Sequence, residues 1–365
     1  MDSPFSYDTI ATAKNFFGRE DELKKLDEIV TYSNNFLLFS KRRMGKTTLI
    51  KHFLSLKERE YICIYADIFE ITSKEEFAHT LLKSLANAKK TDIKSAIKQL
   101  TNLFKRVRVE PTIDPTTLEY SIKPVVATLT FEEMMEDFFC SITELSKTTK
   151  IIIAIDEFQQ IATLKDIKLD AYLRKYIQER DNVSYIFLGS KRHMLTSLFS
   201  YKAPLFELAT HYELQPLDKQ NSYEYISKHL KISFDQVDFL YELCDGETKL
   251  ILEILHHIYI GKKDISNQLI NDTLQDILNS KDATFRMLFD TLSNTQKTAL
   301  KIVAKYKRGI YAKSVLNSYN IKKQTLQSAI EKLLSLEILD RDDGEYFIPD
   351  RTFELWIEEK INRWD

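Results

Sequence analysis

The sequence predicts an α/β core built on a parallel sheet, then a helical lid, then a C-terminal winged helix-turn-helix. Three observations carry this. Apolar strand runs alternate with amphipathic helices through the first part of the chain, the pattern of a sheet covered on both faces. Strand signals stop after about Pro216, where only helical periodicity continues. From Ser293 three helices precede two short strands around an Asp-Asp-Gly turn, the order of a winged helix. The expected domains are a core over 1–215 with a hairpin insertion at about 105–125, a lid over 216–285 and a winged helix over 286–365.

The first helix runs from Arg19 to Val30, with Leu23, Leu26, Ile29 and Val30 on one face. Asn35 to Phe39 reads as a strand, followed by SKRRMGKTT and a helix to about Leu56. Tyr61 to Asp67 is the next strand, and Ser73 with Glu76 forms a capping box for a helix to about Asn87. Val107–Glu110 and Leu118–Lys123 flank Pro111, Asp114 and Pro115 as a hairpin. Thr130 with Glu133 caps another helix. Ile151–Ile155 is apolar throughout, so both its faces are buried, and Tyr185–Leu188 is a further strand. Lid helices are expected over 218–230, 234–244, 248–260 and 265–279. Winged-helix helices are expected from Ser293 to Tyr306 and over 311–318 and 322–336.

Composition narrows the class. The chain has 365 residues, 44% hydrophobic and 29% charged, which suffices for sizeable cores. A net charge of −2 excludes a generally basic coat but not a local basic patch. Cys63, Cys140 and Cys244 lie too far apart for a metal site and read as buried thiols in a reducing compartment. No signal peptide and no apolar run long enough to span a membrane is evident, so a cytoplasmic location is expected.

The chemistry concentrates at Ser40, Lys41, Arg42, Arg43, Met44, Gly45, Lys46, Thr47 and Thr48. This segment fits the phosphate-binding loop except at its first position, where Ser40 replaces glycine. If that position needs a positive φ, Ser40 costs about 1 kcal/mol. Backbone N–H groups of such a loop cradle phosphates, and the following helix offers its positive N-terminus. Gly45 permits close backbone approach, Lys46 sets a charge on the β- and γ-phosphates, and the Thr47 hydroxyl coordinates Mg²⁺. Arg42 and Arg43 either add charge near the phosphates or pair with carboxylates; both readings stay open. The strand IIIAI ends in Asp156 and Glu157. Asp156 is expected to hold Mg²⁺ through its water shell and Glu157 to accept a proton from, or orient, the attacking water. Ser190, at the end of YIFLGS, would sense the γ-phosphate.

FFGREDEL (16–23), KRRMGKTTLI (41–50), IIIAIDEFQQI (151–161) and FLGSKRHML (187–195) together resemble the prokaryotic and archaeal ATPase family of the AAA+/STAND group of P-loop NTPases. DRTFELWI (350–357) resembles the ending of that family's winged helix, so the likeness covers nearly the whole chain. The resemblance implies an AAA+-like core, ATP with Mg²⁺, and Phe17, Gly18 and Arg19 near the adenine. Three departures stand out. Ser40-Lys41 replaces Gly-Pro, Leu208 stands where an arginine is usual, and Asp245-Gly246-Glu247-Thr248 replaces Gly-x-Pro. They imply tight or slow nucleotide use rather than fast turnover.

Segment 293–365 carries 13 Lys/Arg against 11 Asp/Glu. Lys322, Lys323 and Gln324 on the expected recognition helix and Arg341 on the wing are the candidate DNA contacts. Asp340, Asp342 and Asp343 on the same wing repel phosphate. Three functions follow: an ATPase acting on DNA, a STAND-like slow switch signalling through protein contacts, and a degenerate nucleotide-binding or structural protein. Oligomeric state is left open.

Overall fold

The structure is a computed structural model, and it describes residues 3–9, 15–88, 108–113, 120–125, 129–164, 168–178, 181–190, 192–261, 264–342 and 344–364. The expected hairpin turn at 114–119, with Asp114 and Pro115, lies outside these residues, as do residues 105–107 and Asp343. By its internal contacts the chain forms two compact units. One holds Arg19–Ser40 and Lys46–Leu214; the other holds Met1–Gly18, Lys41–Gly45 and Gln215–Asp365.

The first unit is the α/β core. Helix α1 (Glu20–Thr31) leads into β1 (Phe36–Phe39), whose four residues are all buried. Then follow α2 (Lys46–Lys57), β2 (Ile62–Asp67) and α3 (Lys74–Ala86). Strands β3 (Arg108–Ile113) and β4 (Tyr120–Val125) pair antiparallel, as expected of the insertion. Helix α4 (Phe131–Ser146) opens on the predicted Thr130/Glu133 capping box. At α3 only half of the expected box forms as drawn. Ser73 accepts from the Glu76 N–H, while the Glu76 carboxylate reaches the N–H and hydroxyl of Thr72.

Strand β5 (Ile151–Asp156) is buried along its whole length, as its unbroken apolar run requires. A 3₁₀ turn (Phe158–Thr163), α5 (Leu169–Gln178), β6 (Val183–Gly189), α6 (Arg192–Phe199) and β7 (Thr210–Glu213) complete the unit. The sheet order is β2-β5-β6-β1-β7, and all neighbours run parallel. The register aligns Asp67 with Asp156 and Phe39 with Gly189, so the strands end together along one edge. Ligands of open parallel sheets bind at that carboxyl edge.

The second unit is helical until its wing. It contains α7 (Lys219–Ile226), α8 (Phe234–Cys244), α9 (Thr248–Gly261) and α10 (Asn267–Asp290). The winged helix follows as α11 (Asn294–Tyr306), α12 (Lys313–Ser318), α13 (Lys323–Ser335), β8 (Asp340–Asp342), β9 (Glu345–Phe347) and α14 (Arg351–Trp364). Helix α10 runs without a break through residue 285, and one apolar core joins Leu240 and Ile254 to Leu300, Leu326 and Trp356.

Cys63 and Cys244 are buried, and burial raises both thiols, Cys63 to about 12. Cys140 is exposed, against expectation, because it falls on the solvent face of α4 beside buried Phe139. No described helix is long and apolar enough to cross a membrane.

Candidate nucleotide site

Within the core, the carboxyl edge of the sheet gathers Ser40, Asp156, Glu157 and Ser190, and the start of α2 adds Lys46 and Thr47. Lys46 is buried, and its ammonium donates to the Ser40 carbonyl at 3.0 Å and to the Ser40 hydroxyl at 3.1 Å. Ser40 is not among the described residues with positive φ, so the expected strain does not arise there. The loop places its left-handed turns at Arg43 (φ 64°) and Gly45 (φ 91°) instead. Nothing lies within 4 Å of where a Cβ on Gly45 would stand.

Asp156 is the hub of the site. Its Oδ2 accepts from the Thr47 hydroxyl at 2.7 Å and from the Tyr65 hydroxyl at 2.7 Å. Its Oδ1 accepts from the Glu157 N–H at 2.9 Å. Two residues 109 positions apart in sequence therefore meet through one hydrogen bond. Burial, followed by the Asp156 charge, drives the Tyr65 phenol far above its usual 10, so this hydroxyl stays a donor.

Glu157 ends the strand in the left-handed region (φ 55°), which a non-glycine residue enters at a cost of about 1 kcal/mol. Its Oε2 accepts from the Gln159 amide and, at 3.4 Å, from the Ser190 hydroxyl. Gln159 is 1% exposed, and its Oε1 has no hydrogen-bond partner. A Cβ at Gly189 would lie 2.1 Å from that oxygen, which explains glycine at the end of β6. Sequence reading missed both Tyr65 and Gln159. The only hints were a tyrosine two residues before the end of a strand, and a glutamine two residues after Glu157.

Thr47 and Asp156 offer hard oxygen donors of the kind Mg²⁺ prefers. A magnesium site of this type needs one hydroxyl and one carboxylate beside the phosphates, so the lack of a three-carboxylate or histidine cluster among the described residues does not oppose it.

Loop residues Lys41–Gly45 make their contacts within the other unit. Lys41 pairs with Asp245 at 2.8 Å and Arg42 with Glu337 at 2.5 Å. Arg43 pairs with Asp350 at 2.6 Å and with Glu247 at 3.6 Å. Of the two readings of Arg42 and Arg43, pairing with carboxylates is the one observed. Those partners come from far along the chain, including the DRTFELWI segment. The Met44 carbonyl accepts from the Thr248 hydroxyl at 3.5 Å. Glu247 is 6% exposed; burial raises its carboxyl to about 7, with Arg43 opposing. Asp350 moves the other way: burial opposes it, but the Arg43 hydrogen bond holds it below the ordinary carboxylate range.

The residues implied for the adenine divide between the units. Phe17 stacks on Tyr225 with ring centres 3.9 Å apart, and Gly18 takes φ 68° against Leu217. Arg19 is buried and paired with Glu22 at 2.8 Å. Lys322, Lys323 and Gln324 are exposed at the start of α13, and Arg341 is exposed on the wing.

A family model described as an ATPase domain predominantly from Archaea matches residues 16–254, and one for a probable winged helix domain matches residues 283–359. An uncharacterised ATP-binding protein of Methanocaldococcus jannaschii is 23% identical over 301 residues, 75% of this chain and 81% of that protein. One from Pyrococcus horikoshii is 22% identical over 256 residues, 66% of this chain and 75% of that protein. The Walker-type ATPase paby2304 of Pyrococcus abyssi has the same fold, with a TM-score of 0.64 at 19% identity over 98% of this chain and 100% of that one. The Aeropyrum pernix ORC1 protein, solved in complex with DNA, aligns at a TM-score of 0.53 and 15% identity over 99% of this chain and 97% of that one.

Proposed function

Because the chain belongs to the family of ATPase domains found predominantly in Archaea, we propose that it binds ATP with Mg²⁺ and hydrolyses it at the edge defined by Lys46, Thr47, Asp156 and Glu157. The observation that carries this reading is the 2.7 Å contact of Thr47 with Asp156 beside a buried Lys46. Thr47, at the start of the helix after the loop, and the acidic strand end are thus within reach of one ion, as phosphoryl-transfer chemistry requires.

Each residue has a part. Lys46 exchanges its Ser40 contacts for phosphate oxygens, and the N–H groups of 41–48 cradle the phosphates. Thr47 and Asp156 hold the ion, which when bound neutralises phosphate charge. Glu157 takes a proton from the attacking water. Ser190, already touching Glu157, reads the γ-phosphate. Phe17, Gly18 and Arg19 serve the base. The core over 1–215, a lid over 216–285 and a winged helix over 286–365 respond to the nucleotide. Lys322, Lys323, Gln324 and Arg341 bring the winged helix to duplex DNA, in the cytoplasm.

A slow switch working through protein contacts is the second reading. It is favoured by Leu208 at the usual arginine position and by the carboxylates already seated on Arg42 and Arg43.

The test is ATP turnover by the purified chain with and without duplex DNA. Lys46→Ala is expected to abolish tight ATP binding, and unchanged affinity would refute the phosphate-loop reading. Glu157→Gln is expected to retain binding and lose about 10²–10⁴-fold in rate. Turnover indifferent to DNA would favour the switch.

A further inference from the structure

The roles assigned above use Thr47 and leave the second side-chain donor on Asp156 unexplained. Tyr65 lies on β2 opposite Ala154, two residues before the Asp67–Asp156 pair, and its hydroxyl donates to Asp156 Oδ2 at 2.7 Å. Its ring is held as well: the Lys51 ammonium, one turn beyond Thr47 on α2, sits 4.4 Å from the ring centre. Tyr65 thus ties the sheet and the loop-bearing helix to one carboxylate.

A carboxylate's terminal torsion is soft, so two fixed donors on different oxygens are needed to set its plane. Asp156 has three. The Glu157 N–H holds Oδ1, and Thr47 and Tyr65 hold Oδ2. Thr47 is also the hydroxyl that would coordinate magnesium, so its position would answer to the ion as well as to Asp156. The Glu157 N–H and Tyr65 are the two donors that would serve the carboxylate alone, one on each oxygen, and so fix its plane.

We propose that Tyr65 is a positioning residue for the magnesium-holding carboxylate, its hydroxyl setting the orientation of Asp156. The proposal rests on the nucleotide reading above. Outer partners of metal-binding carboxylates typically carry about 10- to 100-fold of metal affinity. If Tyr65 served only to pack, Tyr65→Phe would be silent, because the ring and its Lys51 contact are kept.

The experiment uses the full chain, ADP and Mn²⁺ as a paramagnetic stand-in. ADP affinity is measured by calorimetry in EDTA, and Mn²⁺ affinity of the ADP complex by electron paramagnetic resonance. Tyr65→Phe is expected to leave ADP affinity in EDTA and the ligand-free melting temperature unchanged. It is expected to weaken Mn²⁺ by about tenfold. The Mg²⁺ concentration for half-maximal turnover shifts the same way, and kcat recovers at saturating Mg²⁺. In an Asp156→Asn background the same substitution adds nothing, since its effect runs through that carboxylate. Wild-type Mn²⁺ affinity in Tyr65→Phe, or full additivity with Asp156→Asn, overturns the proposal. A wild-type chain that binds no ADP overturns the nucleotide reading, and the proposal falls with it.

Discussion

Glu247 is the group whose titration should be visible in the stability of the whole chain. It lies at the start of α9, 6% exposed, with Arg43 at 3.6 Å and the Arg351 N–H at 3.3 Å. Burial raises its carboxyl to about 7 from an ordinary 4.5. A raised carboxyl binds its proton more tightly in the folded chain than in the unfolded one. Its contribution is therefore complete below pH 4.5 and is lost as pH rises through 7. At about 1.4 kcal/mol per tenfold in proton affinity, the loss is about 3 kcal/mol. Glu247→Gln keeps the size and an acceptor for Arg351 but cannot ionise. The difference in unfolding free energy between the variant and wild type should swing by about 3 kcal/mol in favour of glutamine between about pH 5 and pH 8. Urea unfolding at four pH values in that window measures it. Asp350, shifted downward, loses its contribution only as pH falls toward and below 3.8, outside the window. Parallel pH profiles for the two proteins would refute the argument and mean that Arg43 fully neutralises Glu247.

Two further outcomes are expected. Gln159→Met, which removes the amide donor to Glu157 and the orphaned Oε1, should lower kcat by about tenfold while leaving ATP affinity unchanged; steady-state kinetics with a binding titration decides it, and an unchanged kcat would leave Gln159 a packing residue. Lys322→Ala with Lys323→Ala should weaken duplex binding and reduce the salt slope by about one per lost phosphate contact, read by fluorescence anisotropy across salt concentrations. An unchanged slope would direct the winged helix toward protein.

What the sequence made legible follows its physics. The buried strand Ile151–Asp156, the helix after Gly45, the box at Thr130 and the helix opening at Ser293 depend on local pattern, and they stand where the spacing put them. Strand β7 was not foreseen: Thr-His-Tyr-Glu has no apolar run, and it is a strand because β1 offers it a parallel edge. The 3₁₀ turn after Glu157 and helices α5 and α6 were missed as well. At the site, Lys46, Thr47 and Asp156 announce themselves by motif spacing. Tyr65 carries no motif, and Gln159 lies within IIIAIDEFQQI without a role of its own there; the β2–β5 register and the close approach at Gly189 bring them to the carboxylates.

The loop arginines show where sequence reading stops. Nothing local to KRRMGK says whether Arg42 and Arg43 face phosphate or protein, since both outcomes satisfy a guanidinium. The choice is made by Glu337, Asp350 and Glu247, which lie hundreds of residues away along the chain. Arg43 is also the loop's one non-glycine residue at positive φ, so its side chain is aimed by a backbone strain of about 1 kcal/mol. Such strain persists where surrounding contacts hold it in place, and the Asp350 pair is such a contact. Relieving either half should therefore loosen the other, which makes Arg43→Gly with Asp350→Asn a pair whose effects on stability are not additive. The identity of one loop residue is thus explained by a carboxylate from the other end of the sequence.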